Sequence, residues 1–383
     1  MTAKPAPAIR IIGHSPVTIF GLDGGTRLMR QFASAGFADA AFWPAPIQDA
    51  ASVVMVRGDY LLEENLLLAL AASPGSLLAD PVSGQIAGAH IQTVHAGAMA
   101  EWMARKAPPD EAGLPEGVSA TPLSTEGAGA YSAELKKRIT AYLMPITALT
   151  QPQIERDLFA AVYKGVTDII TKHVWPWPAF HVTRFCARQG VTPNMVTSVG
   201  AVLTLLAYLL FLNGQFGLGL LAAWGMTFLD TVDGKLARVT VTSSFFGNIF
   251  DHGIDLIHPP FWYWAWGLGI AAAGGVLWQP SLIFGVVIGG YVLQRLQEGG
   301  FTWIFGIAPH VWRPFDSRFR LITARRNPNL ILLTLSAIIG RPDLGMLAVA
   351  LWTLICIGIH FMQIFQAAGV KRRGLAIRSW LAA

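Results

Sequence analysis

Four aspartates set between strongly apolar segments constrain this chain more than any other feature. They lie in Asp230-Thr231-Val232-Asp233-Gly234-Lys235-Leu236-Ala237-Arg238 and, eight residues further on, in Gly247-Asn248-Ile249-Phe250-Asp251-His252-Gly253-Ile254-Asp255. The flanking stretches, 217–229 and 256–273, are almost wholly apolar. Asp230 and Asp233 are three apart, and Asp251 and Asp255 are four apart, so each pair shares one face of a helix. Two such helices side by side gather the four acids into one cluster. An unpaired carboxylate at membrane depth costs roughly several kcal/mol, so the cluster needs counter-charge. A hard divalent cation, Mg2+ or Mn2+, supplies that charge and also binds phosphate oxygens. Gly234 and Gly247 carry no side chain where a ligand approaches the backbone.

Composition supports a membrane setting. Of the 383 residues, 53% are hydrophobic and 13% charged, where an ordinary soluble domain carries about 25% charged residues. The apolar excess is concentrated after residue 190, which predicts at least two domains. The net charge is +5, with the basic residues crowded into particular loops. No basic stripe interleaved with aromatics is present, so anionic lipid and phosphate are the expected partners and nucleic acid is not. Cys186 and Cys356 are too few and too far apart in setting for a disulfide framework or a metal site. Met1 to Arg10 has no apolar core of the kind a signal peptide carries, so the N-terminus is expected in the cytosol.

In chain order, residues 1–103 read as a small α/β domain, with strands at Ile9–Ile12 and Ser52–Val56 and a helix over Arg27–Ala35. Gly21 to Arg27 matches no phosphate-loop spacing and reads as a glycine turn before that helix. Residues 104–130, rich in Pro, Gly and Ser, form a linker, and 131–190 an interfacial segment mixing Lys and Arg with Trp and Phe. Six spans are expected at about 193–213, 216–237, 247–272, 281–298, 327–341 and 344–368, judged against the roughly 20 residues a crossing needs. Residues 371–383 are a basic tail. The loops bearing Lys235, Arg238, Arg313, Arg318, Arg320, Arg325 and Arg326 fall on the same side as the tail, and the other side shows only Arg341. The positive-inside rule puts both termini and the aspartates in the cytosol. The expected fold is an all-α six-helix transmembrane bundle preceded by a small cytosolic α/β domain.

The spacing D-x2-D-G-x2-A-R-x8-G-x3-D-x3-D resembles the motif of the CDP-alcohol phosphotransferases, integral membrane enzymes of phospholipid synthesis, and every fixed position of that motif is present. Pro193-Asn194-Met195-Val196-Thr197, at the start of the first span, resembles a second element of the family near the nucleotide site. The resemblance implies a site built from Asp230, Asp233, Asp251 and Asp255 as ligands of two Mg2+ or Mn2+ ions, with Asp255 bridging or acting as general base. It also implies nucleotide contacts from Asn194, Thr197, Gly234, Ala237, Arg238 and Gly247. The expected substrates are a CDP-linked lipid or alcohol donor and an acceptor alcohol, with membrane lipids around the protein and a homodimer as its assembly. Arg325 and Arg326 are candidates for the acceptor, since arginine binds phosphate bidentately. His252 and His258 read as polar contacts or packing residues.

Some family members carry a sugar-nucleotidyltransferase domain ahead of the membrane part, and Arg57-Gly58-Asp59 after a Val-rich strand resembles that domain. The glycine-rich triphosphate loop of active relatives is missing before His14, so the domain reads as degenerate, a docking or regulatory module. Two alternatives stand beside this reading: a bifunctional cytidylyltransferase/phosphotransferase of the inositol-phosphate type, and a non-catalytic membrane scaffold.

Overall fold

The computed structural model describes residues 6–106, 113–123, 131–243 and 245–382, with the side chains of 245, 246, 248 and 251 outside that description. The first part is a mixed six-stranded sheet in the order 40–42, 8–12, 52–57, 86–92, 76–79, 121–122. Ala8–Ile12 runs parallel to both Ala40–Phe42 and Ser52–Arg57, whereas Ile86–Gln92 lies antiparallel to Ser52–Arg57. The central strands are apolar on both faces because helices cover both. Gly24–Ser34 and Glu64–Ala72 pack on one side through Leu28, Phe32, Leu66 and Leu70, and Ala96–Ala104 packs on the other through Met99 and Met103. The sheet domain draws on residues beyond 103. Thr121–Pro122 adds the last edge strand of the sheet, and Leu143–Pro145 pairs with Tyr60–Leu62 in a separate two-stranded ladder.

The helical part begins with Gln151–Ala161, Ile169–His173 and Pro176–Arg188. Six long helical segments follow. They are Pro193–Leu212, Phe216–Val239, Phe245–Ala272, a continuous run from Pro280 to Phe305 with a π-helical turn at Gly285–Gly289, Arg326–Ile338, and Pro342–Arg372. Two of them, Pro193–Leu212 and Pro342–Arg372, are long and apolar enough to cross a membrane by length and composition. The others carry the charges of the site or are broken by glycine and proline. Thr192 caps the first helix, its side chain accepting from the Met195 N–H at 3.3 Å, with Pro193 in the first turn where no donor is needed. Phe211, Trp262 and Trp266 fill the core between the first three helices. Gly269 is obligatory there, since a Cβ would lie 1.8 Å from the Phe211 carbonyl oxygen. Outward-facing Val202, Leu221, Ile257, Leu296, Ile338, Leu351 and Phe365 are exposed, an apolar surface far beyond what a water-facing helix bundle presents.

The two parts meet at the end of the Phe216–Val239 helix. Arg27 Nη2 donates to the Val239 carbonyl at 2.6 Å and Arg30 Nη1 to that of Thr240 at 2.7 Å. Two guanidinium groups thus sit at the negative end of the helix dipole. The predicted glycine turn is part of the same contact. Gly21 is left-handed at φ +70°, and a Cβ there would lie 2.7 Å from the Ala187 carbonyl oxygen. The Phe20 N–H donates to Glu155, which is fully buried and paired with Arg184 at 2.7 Å. The helix itself ends in a Schellman arrangement. The Thr242 N–H reaches the Ala237 carbonyl at 2.8 Å, and Val241 takes the left-handed position at φ +51°.

Candidate active site

Asp230 and Asp233 project from the Phe216–Val239 helix, and Asp255 from Phe245–Ala272, towards one cavity of about 850 Å3. Asp251 lies on the second helix one turn before Asp255, and its side chain is outside the described residues. Both segments are continuous helices, so the three-residue spacing of Asp230 and Asp233 translates into a shared face.

The three described acids have different surroundings. Asp233 is 3% exposed. Its Oδ2 accepts from the Thr197 hydroxyl at 2.6 Å, and its Oδ1 is buried with no hydrogen-bond partner among the described residues. Asp230 and Asp255 share Arg326, whose Nη2 donates to Asp230 Oδ2 at 2.5 Å while its Nη1 donates to Asp255 Oδ1. One guanidinium therefore bridges the two helices. Among the described residues no three His, Cys, Asp or Glu side chains converge into a ready ligand set. The donors nevertheless suit a divalent ion: carboxylate oxygens on two helices, one of them orphaned in a buried position, are the hard ligands that Mg2+ and Mn2+ prefer.

The expected nucleotide contacts, Asn194, Thr197, Gly234, Ala237, Arg238 and Gly247, all line the same cavity. Arg238 folds back on its own helix, Nη1 donating to the Gly234 carbonyl at 3.0 Å, and its Nε pairs with Glu134 at 3.2 Å. Of the two arginines assigned to the acceptor, Arg326 sits among the aspartates. Arg325 pairs with Glu298 and lies 3.3 Å from His310 Nε2. His252 lines the cavity. His258 is buried, its Nδ1 meeting the Ile254 carbonyl at 2.6 Å and its ring 4.5 Å from that of Trp262.

Further residues line the cavity that sequence reasoning did not assign to the site: Lys136, Lys164, Tyr291, Arg295 and Arg320. Behind Arg295 and Arg325 lies Glu298, and an acid inside an apolar helical run was a legible signal for it. Asp168 also faces the cavity. It caps Ile169–His173 by accepting from the N–H groups of Ile170 and Thr171 at 3.1 and 3.0 Å, and it accepts from Asn327 at 3.0 Å. Burial would raise its pKa, but these bonds and the charge of Arg320 outweigh it and hold Asp168 below the ordinary carboxylate value.

The acid after the central strand of the sheet is placed quite differently. Asp59 accepts from Arg57 at 2.9 and 2.8 Å and from Lys106 at 2.7 Å. Both its oxygens are engaged by side chains of its own domain.

A family model for CDP-alcohol phosphatidyltransferases matches residues 190–295, the segment carrying Asn194 and all four aspartates. Archaetidylinositol phosphate synthase of Pyrococcus horikoshii is 34% identical over 137 residues, which are 34% of this chain and 69% of that protein. Cholinephosphotransferase 1 of Xenopus laevis is 31% identical over 124 residues, 30% of either chain. The human cholinephosphotransferase 1 is 28% identical over 160 residues, 39% of this chain and 37% of that one. The match thus spans about two-thirds of the archaeal protein and about a third of the cholinephosphotransferases. With its motif helices joined around one cavity and a stretch of 137 residues shared with the archaeal synthase, the chain belongs to the CDP-alcohol phosphatidyltransferase family of enzymes.

Proposed function

We propose that the protein is a membrane-embedded phosphotransferase that moves a phosphoalcohol group from a CDP-linked donor, such as CDP-diacylglycerol, to the hydroxyl of a phosphate-bearing acceptor alcohol, releasing CMP. The observation that carries this reading is the buried Oδ1 of Asp233, without a hydrogen-bond partner among the described residues, in a cavity shared with Asp230 and Asp255. A phosphorylated acceptor is favoured over a neutral one because Arg325 and Arg326 exceed what membrane orientation requires, and because a relative is named for an inositol phosphate lipid.

Asp230, Asp233, Asp251 and Asp255 would hold two divalent ions. Such a pair neutralises a pyrophosphate and stabilises the leaving CMP oxygen. The remaining steps belong to the chain. Arg238 steadies donor phosphate or ribose, and Gly234 and Gly247 let the nucleotide lie against the backbone. Thr197 fixes the orientation of Asp233 by donating to its Oδ2. The acceptor oxygen attacks phosphorus, the bond from phosphorus to the CMP oxygen breaks, and the acceptor proton passes to the Asp255 carboxylate. We read all six long helical segments as membrane spans, with the cavity and both termini on the cytosolic side, following the basic loops. The sheet domain is a docking module: its one candidate acid is already paired, and its Arg27 and Arg30 hold the motif helix.

The test is CMP release by the full-length protein in nanodiscs, supplied with CDP-diacylglycerol and either inositol phosphate, glycerol phosphate, serine or choline. The expected result is release that chelation abolishes, that Mg2+ or Mn2+ restores, and that is fastest with a phosphorylated acceptor. No release with any of the four acceptors overturns the reading. So does release of a CDP-alcohol from CTP by the sheet domain, as far as docking is concerned.

A further inference from the structure

Part of the cavity wall carries an excess of positive charge over the carboxylates beside it among the described residues. Lys136, Arg295, Arg320 and Arg325 face the carboxylates Asp168 and Glu298 there. Glu298 is already shared between Arg295, Arg325 and His310. Asp168 is taken up by its cap and by Asn327. The Arg320 side chain makes no hydrogen bond or ion pair among the described residues, and its Nη1 is buried without a partner. Lys136 makes none either, although it is only partly exposed. Burial and the repulsion of Arg320 and Arg325 push its amine down to about 8, and burial and Arg325 push Arg320 down to about 9. A buried donor left unmade is costly, more so when charged, so a bound anion is the natural completion.

Lys136 is held where it is. It sits in the turn between Tyr131–Ser132 and Lys137–Arg138, left-handed at φ +52°. On one side of that turn Glu134 pairs with Arg238 of the motif helix. Beneath it Gly165 donates to the Leu135 carbonyl at 2.7 Å and lies so close that a Cβ would be 2.6 Å from the Lys136 oxygen. The hairpin thus lines the cavity with both Glu134, paired to Arg238, and Lys136. It lies well outside the segment the family model matches, 190–295.

We propose that the hairpin 131–138 is part of the substrate site, and that Lys136 and Arg320 form a phosphate subsite that selects the acceptor by its phosphate group. This deepens the proposed function and rests on it for the role of the phosphate, though not for its binding. A phosphate monoester offers three terminal oxygens, enough for a guanidinium fork and an ammonium together.

The test reads binding without turnover. Inorganic phosphate is titrated against the thermal stability of the full-length protein in phosphatidylcholine nanodiscs, and its Kd is taken from the rise in Tm. Lys136→Gln and Arg320→Gln are each expected to weaken phosphate about tenfold or more, Lys136→Arg to keep most of the affinity, and the exposed Lys172→Gln to keep all of it. Repeating the titration in nanodiscs containing phosphatidylglycerol identifies the source. Undiminished phosphate protection means a soluble phosphate ester, and protection lost in the wild type means that a lipid headgroup takes the subsite, which sinks acceptor selection. Equal phosphate affinity in the wild type, Lys136→Gln and Arg320→Gln overturns the subsite itself. A protein that releases no CMP yet loses phosphate binding in these variants refutes the proposed reaction and leaves the subsite standing.

Discussion

Asp59 of the sheet domain and Asp233 of the motif helix are both largely buried acids at the end of a well-packed element, and they end up in opposite states. Asp59 is closed off by three donors from Arg57 and Lys106. Burial alone would raise its pKa, but those two partners outweigh it and hold it below the ordinary value. Asp233 receives one side-chain bond, from Thr197, and keeps a buried oxygen with no hydrogen-bond partner among the described residues. The chain spends its own cations to satisfy the first and leaves the second to be completed from outside. A carboxylate already satisfied by its neighbours adds stability, whereas one held short of satisfaction marks where a ligand belongs.

The sharpest way to break this contrast is to neutralise each acid in turn. Asp233→Asn, like Asp230→Asn, is expected to reduce CMP release by about a hundred- to thousandfold while the protein still folds and inserts. Asp59→Asn is expected to leave turnover unchanged and to lower stability by about 1–3 kcal/mol, because Arg57 loses its partner. Steady-state rates and thermal unfolding of the same preparations decide the matter. An Asp59→Asn enzyme as slow as Asp233→Asn would erase the distinction.

Arg326 sharpens it further, since its guanidinium pairs with both Asp230 and Asp255 inside the open site. Arg326→Ala is expected to raise acceptor KM about ten- to a hundredfold, the worth of a charged hydrogen bond of roughly 1.5–3 kcal/mol, with donor KM affected less. Initial rates against varied acceptor and varied donor separate the two. A rise confined to donor KM would move Arg326 to the nucleotide side of the cavity.

The smallest effect is expected at Val241. A β-branched residue in the left-handed region carries roughly 1–2 kcal/mol of strain, and that position at a helix end ordinarily belongs to glycine. Val241→Gly is expected to stabilise the protein by about 1 kcal/mol without changing turnover, measured as a shift in Tm alongside CMP release. A fall in Tm would mean that the Val241 side chain contributes packing worth more than its strain.

The aspartates were legible because their spacing is a local property: three and four residues along a helix fix a face whatever the rest of the chain does. The sheet strands at 8–12 and 52–57 were legible for the same reason, as short β-branched runs. Arg326 was visible as a paired arginine in a basic loop, but its partnership with Asp230 joins residues 96 apart in sequence, which no periodicity records. Lys136 carried no signal at all. One lysine in a basic pair looks like any interfacial charge until the hairpin that holds it is seen to lie across the cavity. The turn at Gly21 was read correctly as a glycine turn, yet its role in contacting the Ala187 carbonyl depends on a surface that folds more than 160 residues later.

The strained end of the motif helix gives the sheet domain a thermodynamic role as a tethered ligand. Its guanidinium groups bind Val239 and Thr240 only when the last turn is formed, so by linkage they tighten that turn by as much as the turn tightens them. Asp233 lies less than two turns upstream of this cap. The effective concentration of Arg27 and Arg30 at the helix end therefore enters the order of the site itself, and a helical half expressed alone needs a substitute cap, not merely a start codon, to behave as it does in the whole chain.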